Sequence, residues 1–261
     1  MTHAVLLSAG QGRRLSPLTD QKPKCLIGVG GRTILEWQLH ALSACGIRDV
    51  TVVTGFEGHT IDAALKTISV PLNAECLYNP FYAVADNIGS CWAARDLIGE
   101  DTLLINGDTL FDPRILARVL DKAAAPISVT IDRKGAYDSD DMKVQLDGAH
   151  LRRIGKKLTG TIDGESIGML RFRGEGGAKF VARMAHLLRD PAALKVWYLS
   201  IIDDLAADDI VGTVSIEGLP WAEVDFPHDL PSAAEQVDAF DWSNAPSPDL
   251  QAARAGGERR T

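Results

Sequence analysis

No two of the four cysteines, Cys25, Cys45, Cys76 and Cys91, are close enough to form a C-x-x-C pair, which removes the usual sequence signs of a zinc site or a dithiol centre. The six histidines are scattered and read as ordinary core or surface residues. Basic residues are in deficit: 27 Lys and Arg against 35 Asp and Glu leave a net charge of -8. A general nucleic-acid binder needs a basic surface, so that class of partner is not expected, although a local cluster of cations could still hold a small anion. No run approaches the ~20 apolar residues of a membrane span, and no membrane insertion is expected. The start, MTHAVLLSAG, lacks a basic segment and a long apolar core, so no signal peptide is expected and the protein is predicted to be cytoplasmic. No internal repeat is visible.

What is present suits a globular α/β protein, with 46% hydrophobic and 24% charged residues over 261 positions. Apolar β-rich runs alternate with helical patterns. Strands are predicted at 4–7, 50–54, 75–78, 102–105 and 127–131. Helices are predicted at 33–45, 61–66 and 88–97 and after Pro113. Thr33 and Glu36 make a capping-box pattern and Gly46 stands where a C-terminal cap belongs. Continuous apolar strands alternating with helices predict a doubly wound, mostly parallel, Rossmann-like sheet, whose ligands lie beyond the carboxyl ends of the strands. The second half is less regular. Strands at 142–146, 166–172, 211–216 and 222–224, with helices at 180–188, 192–206 and 230–240, are expected to extend the sheet with mixed strands. One domain over 1–240 follows. From Asn244 onward the Pro-, Ala-, Gly- and Arg-rich composition predicts a disordered tail.

The most informative local stretch is Leu7-Ser8-Ala9-Gly10-Gln11-Gly12-Arg13-Arg14-Leu15, followed by Pro23-Lys24. Gly10 and Gly12 let the backbone approach a ligand and aim N–H groups at phosphate oxygens. Arg14 can grip two oxygens in a fork, and Lys24 supplies a compact charge. No Gly-Lys-Ser/Thr follows, so this is not a P-loop, and Leu15 stands where the third glycine of a dinucleotide loop belongs. A Gly-x-Gly turn can also be purely structural.

Gly-x-Gly-x-Arg followed by Pro-Lys resembles the signature of the nucleotidyltransferases that make sugar nucleotides and CDP-alcohols. The resemblance implies that the loop, with Leu7, Ala9, Gly10, Gly12 and Arg14, holds a nucleoside triphosphate, and that Lys24 neutralises charge at the reacting phosphate. Arg13 departs from the pattern, which often has a small hydroxyl residue there. The resemblance assigns residues 1–135 to a nucleotide-binding half and 136–240 to a substrate or lid half.

Two aspartates are candidates for the metal. Asp108, in Asn106-Gly107-Asp108, and Asp225, in Glu223-Val224-Asp225, both follow predicted strands. Mg²⁺ takes a few carboxylate oxygens plus phosphate and water. Either residue could instead only mark a turn. The resemblance implies that both bind a catalytic Mg²⁺ and that the substrates are CTP or another nucleoside triphosphate and a small phosphorylated molecule.

Asn79-Pro80-Phe81-Tyr82, Asn87-Ile88-Gly89-Ser90 and Ile154-Gly155-Lys156 are similar to the bacterial CTP:phosphocholine cytidylyltransferases. That similarity implies Asn87 and Ser90 near the base and Lys156 at the acceptor phosphate, with Glu165 also on the acceptor side. A choline acceptor would require ring faces and nearby carboxylates. Tyr137, Trp197, Tyr198 and Trp221 are the available rings. Sugar-1-phosphate nucleotidylyltransferases share the first-half motifs and stay open as an alternative, as does a non-catalytic nucleotide sensor. Gly164-Glu165-Ser166-Ile167-Gly168 also matches the nucleophile elbow of hydrolases, but the β-like alternation after it lacks the required strand-turn-helix context. The oligomeric state is left open, and a homo-oligomer is compatible with the pattern.

Overall fold

The computed structural model describes residues 1–243; the predicted disordered tail from Asn244 lies outside the described residues. Strand β1 (His3–Ser8) leads through 3₁₀ turns at Arg13–Leu15 and Lys24–Leu26 to β2 (Gly28–Val29), β3 (Arg32–Thr33) and helix α1 (Ile34–Ala44). Next come β4 (Asp49–Thr54), α2 (Gly58–Leu65), β5 (Asn73–Tyr78), α3 (Asn87–Ala93), β6 (Asp101–Asn106), β7 (Thr109–Phe111), α4 (Pro113–Lys122) and β8 (Ile127–Asp132). The second half holds β9 (Lys143–Asp147), β10 (His150–Gly155), β11 (Gly164–Arg173), α5 (Gly176–Leu187), α6 (Leu199–Ala206), β12 (Val211–Ser215), β13 (Trp221–Glu223) and α7 (Asp229–Asp238).

One nine-stranded sheet runs in the order β5-β4-β1-β6-β11-β8-β12-β10-β9. The pairs β5/β4, β4/β1, β1/β6 and β8/β12 are parallel, while β11 is antiparallel to β6 and β8, and β10 to β12 and β9. All strands of this sheet except β10 and β11 therefore point the same way. The chain moves outward from β1 to β4 and β5, then returns to β6 on the other side of β1. The carboxyl ends of β1 and β6 flank this reversal, which is where ligands of open α/β sheets bind.

Alternation along the strands explains why helices cover both faces. Val5 of β1 joins Ile88, Cys91, Phe180 and Ile202 of α3, α5 and α6 on one face. Ala4 and Leu6 join Leu35, Leu39, Ile61 and Ile115 of α1, α2 and α4 on the other. Each such fully buried Leu or Ile contributes roughly 1.5–3 kcal/mol. The expected capping box starts α1: Thr33 Oγ1 accepts from the Glu36 N–H at 3.2 Å, and the Thr33 N–H donates to the Glu36 carboxylate at 2.6 Å. Such a cap is worth about 1 kcal/mol.

The structure departs from the sequence expectations in several places. The helix expected over 192–206 is a 3₁₀ segment, Pro191–Lys195, and then α6. Tertiary bonds divide it, since the Asp86 N–H takes the Leu194 carbonyl at 2.7 Å and the Tyr198 N–H takes Asn87 Oδ1 at 2.9 Å. The helix expected to reach residue 97 stops at Ala93, and Asp86 makes no side-chain cap for it. Strand β11 enters the middle of the sheet rather than extending its edge, with a register shift between Ser166 and Leu170 and Gly168 at φ +74°. The Gly-x-Ser-x-Gly stretch lies inside this strand with Ser166 buried, so the elbow geometry is absent. Strand β13 leaves the main sheet altogether and pairs with β7.

Candidate active site

The ends of β1 and β6 are drawn together by small residues. The Gly107 N–H donates to the Leu7 carbonyl at 3.0 Å, and a Cβ on Gly107 would lie 2.5 Å from Ser8 Oγ. Gly12 sits in the left-handed region at φ +70°, and a Cβ there would lie 2.9 Å from Lys24 Cβ. Glycine at 12 thus satisfies the turn and lets the Lys24 stem pass beneath it. That passage carries the ammonium to the carboxylates.

Asp225 arrives by an indirect route. β13 pairs Glu223 with Thr109, and the Val224 N–H donates to the Asp108 carbonyl at 3.4 Å. The next two N–H groups, of Asp225 and Phe226, donate to Asp229 Oδ2 at 2.8 and 2.7 Å, which fixes the turn. Lys24 Nζ then donates to Asp108 Oδ2 at 2.6 Å and to Asp225 Oδ1 at 2.7 Å. Arg14 Nη2 lies 2.7 Å from the same Asp225 oxygen, with its guanidinium carbon 4.8 Å from the centre of the Phe226 ring.

Glu223 completes the cluster. One carboxylate oxygen from each of Asp108, Glu223 and Asp225 lies within 4.8 Å of the others. Although Glu223 keeps an exposed surface, desolvation by the groups crowded around its carboxyl pushes it up to about 8, with Asp108 and Asp225 adding to the rise and Lys24 and Lys156 opposing it. Burial would also raise Asp225, but the charge and hydrogen bond of Lys24, with help from Arg14, hold it below the usual range. For Lys24, burial works downward, and the two aspartates outweigh it, so the ammonium is held above its ordinary value. Asp108 Oδ1 is buried and has no hydrogen-bond partner among the described residues.

Three cavities converge on Asp108. The first, about 320 Å³, is walled by Ala9, Gly10, Asn79, Tyr82, Asn87 and Ser90. Asn79 fixes part of that wall, donating to Ser90 Oγ at 3.1 Å while its own oxygen accepts from the Phe81 N–H at 2.8 Å. The second, about 220 Å³, lies over Gly12, Arg14, Lys24 and Asp225, and Leu7 and Gly10 border both. The third, about 210 Å³, is bordered by Asp140, Met142, Lys156, Trp197, Glu223 and Asp225.

The structure thus brings the expected loop residues, Asn87, Ser90, Asp108, Asp225, Lys156 and Trp197, around one centre. It does not assemble the four expected rings. Tyr198 is fully buried, with its hydroxyl donating to Asn106 Oδ1 at 3.1 Å, so it has no ring face to offer. Tyr137 accepts from the Lys134 N–H at 3.2 Å, and the Trp221 indole donates to Asp132 at 2.8 Å; neither borders the third cavity. Lys156 Nζ stands 4.4 Å from the ring centre of Trp197. Glu165 is also turned away, buried and paired with Lys134 Nζ at 2.9 Å. Sequence reasoning passed over Glu223, whose place two residues before Asp225 was the available signal, and over Asn106, whose side chain is placed only by tertiary contacts.

A family model described as a MobA-like NTP transferase domain matches residues 4–197. The chain is similar to CMP-5'-(3-aminopropyl)phosphonate synthase of Streptomyces rubellomurinus, 27% identical over 239 residues, which are 87% of this chain and 37% of that protein. It is also similar to 2-aminoethylphosphonate cytidylyltransferase of Lancefieldella rimae, 26% identical over 233 residues, 86% of this chain and 88% of that protein. The chain spans only 37% and 51% of the length of the first two curated relatives it matches. Among solved structures, CTP:phosphocholine cytidylyltransferase from Streptococcus pneumoniae superposes with a TM-score of 0.73 at 19% identity, covering 90% of this chain and 99% of that one. At that identity the likeness speaks to the fold. Among the described residues no helix is long and apolar enough to cross a membrane.

Proposed function

The chain belongs to the MobA-like NTP transferase family, and from that premise we propose that it is a Mg²⁺-dependent cytidylyltransferase. It would transfer CMP from CTP to the phosphate or phosphonate of a small acceptor and release pyrophosphate. The observation that carries this reading is the cluster of Asp108, Glu223 and Asp225 with Lys24 and Arg14, set where the three cavities meet.

The donor set fits the metal. It consists of hard carboxylate oxygens only, and Asp108 Oδ1 is buried without a partner. When bound, Mg²⁺ would draw charge from the phosphate oxygens and ease the departure of pyrophosphate. The protein's own groups do the rest. The loop over Gly10 and Gly12 turns backbone N–H groups toward the triphosphate. Arg14 and Lys24 offset its charge, and Asn87 and Ser90 bound the space for the nucleoside. An acceptor oxygen attacks the α-phosphorus in line; a P–O bond forms there, the bond to the bridging oxygen breaks, and the electron pair leaves with pyrophosphate. No side chain is needed as nucleophile, so positioning and charge are the protein's contribution.

The third cavity suggests the acceptor. Lys156 and Arg14 suit its phosphate or phosphonate, and Asp140 with Trp197 suits a nearby amino group. We therefore favour an amino alcohol phosphate or aminoalkylphosphonate, the phosphocholine kind included, over a sugar 1-phosphate. The test is a pyrophosphate-release screen of four nucleoside triphosphates against phosphocholine, phosphoethanolamine, 2-aminoethylphosphonate and several sugar 1-phosphates, with Mg²⁺ and with EDTA. CTP with an amino-bearing acceptor and Mg²⁺ is expected to give the fastest release. Nucleotide binding without release for every acceptor would instead describe a sensor, and a preferred sugar 1-phosphate would overturn the acceptor class.

A further inference from the structure

Asn87 and Asn106 each border both the first cavity and the third. They stand at the seam where donor and acceptor have to meet, beside Asp108, which borders the same two. One residue holds both of them. Tyr198 donates its backbone N–H to Asn87 Oδ1 at 2.9 Å and its hydroxyl to Asn106 Oδ1 at 3.1 Å.

An amide whose oxygen is engaged in this way presents its NH₂ group to whatever lies in front of it. Among the described residues neither Nδ2 donates to a protein acceptor. The Asn106 main chain is fixed as well, since Gln38 Nε2 donates to its carbonyl at 2.8 Å. Its side chain is boxed in by Gly168, where a Cβ would lie 2.4 Å from Asn106 Nδ2. Tyr198 is fully buried, and burial holds its phenol well above the ordinary range, so the hydroxyl stays a donor. A buried donor that orients two amides at a cavity seam has a geometry that general packing does not require.

We propose that Tyr198 is a positioning residue for the transfer: it turns the NH₂ groups of Asn87 and Asn106 toward the phosphoryl group at the seam, where they donate to its oxygens. This rests on the cytidylyl-transfer reading. It adds a pair of neutral donors to the cations and carboxylates already described, and it gives the buried Tyr198 a role other than that of a ring face.

The test uses the full chain and four variants: Tyr198→Phe, which removes only the hydroxyl, Asn106→Ala, the double variant, and Asn106→Asp, which keeps the shape but replaces the NH₂ by oxygen. Pyrophosphate release is measured with CTP and the best acceptor. Calorimetry measures binding of inorganic tripolyphosphate with Mg²⁺. For Tyr198→Phe, kcat/KM for CTP is expected to fall about tenfold, the size of one lost hydrogen bond to a charged group. The acceptor KM should stay within about twofold, and tripolyphosphate should bind several-fold more weakly. Asn106→Asp is expected to lose more than Tyr198→Phe, because an anion then faces the phosphate. The double variant should be no worse than Asn106→Ala, because Tyr198 acts through that amide. Wild-type kinetics in Tyr198→Phe would overturn the proposal, as would losses that multiply in the double variant. If the wild type releases no pyrophosphate with any substrate pair, the transfer reading fails by itself. In that case, equal tripolyphosphate affinity in wild type and Tyr198→Phe overturns the positioning role, and weaker affinity in the variant upholds it.

Discussion

Replacing Lys24 by Met removes the ammonium that joins Asp108 to Asp225 and leaves those two carboxylates facing each other beside Glu223, with Arg14 paired to Asp225. The cost can be bracketed. Breaking a buried ion pair by deleting one partner costs about 3–5 kcal/mol. An exposed pair contributes about 0–1 kcal/mol. The three side chains here are 14%, 21% and 20% exposed, closer to the buried case. A loss of about 2–4 kcal/mol without divalent cations follows, or roughly 4–16 °C in melting temperature for a chain of this size. The pH window is set by the shifts. Lys24 is held above its ordinary 10.5, so its contribution is complete below that pH and is lost as pH rises through the folded value. Asp225 is held below its ordinary 3.8, so its contribution is complete above that pH and is lost as pH falls through the folded value. The gap between wild type and Lys24→Met should therefore be widest from about pH 4 to about pH 10. Urea denaturation in EDTA at pH 7 and pH 3 measures it, and excess Mg²⁺ should narrow it at pH 7 by binding the carboxylates of the folded state. A variant within about 0.5 kcal/mol of wild type in EDTA at pH 7 would refute the reasoning, since the ammonium would then not be offsetting those charges.

Asp108→Asn and Asp225→Asn should each lose most turnover while keeping the circular dichroism of the wild type, because an amide preserves shape but not the hard anionic ligand. Near-normal rates at limiting Mg²⁺ would remove that residue from the metal site. Trp197→Leu should raise the acceptor KM several-fold and leave the CTP constant unchanged, whereas Tyr137→Leu and Trp221→Leu should move neither; equal effects from all three would contradict the cavity assignment. Burial pushes Glu165 up to about 7, with Lys134 opposing and Asp141 adding to the rise. The stability this acid contributes is thus complete below its ordinary 4.5 and is lost as pH rises through about 7. Always neutral, Glu165→Gln should gain on the wild type across that interval in urea titrations, and a constant difference from about pH 5 to 8 would count against it.

The first half of the fold could be read from local chemistry. β1 and β6 carry apolar runs and β4 a buried Val and Thr run because both faces of the sheet are covered, and α1 is announced by Thr33 and Glu36 at its start. The loop that borders the second cavity could be read for the same reason, since Gly12, Arg14 and Lys24 lie close together in sequence. What could not be read depends on contacts between distant segments. Strand β10 was missed because Arg152 and Arg153 and a register shift after Leu151 break its alternation. Asp225 is brought to Asp108 by β13 pairing with β7 outside the main sheet, and no periodicity in three residues predicts that partner. Tyr198 and Trp197 are adjacent in sequence, yet one is buried and the other borders a cavity, because the helix expected across them is broken by bonds to Asp86 and Asn87.

If the site joins CMP to an acceptor phosphate or phosphonate, ³¹P NMR of the reaction observes the new bond directly. With CTP, Mg²⁺ and an amino-bearing acceptor, the acceptor's phosphorus signal is expected to be replaced by the paired doublets of an unsymmetrical P–O–P linkage, with one equivalent of pyrophosphate. EDTA or Asp225→Asn should abolish both. Pyrophosphate appearing with free CMP and an unchanged acceptor would contradict the claim, because the site would then be delivering the nucleotide to water.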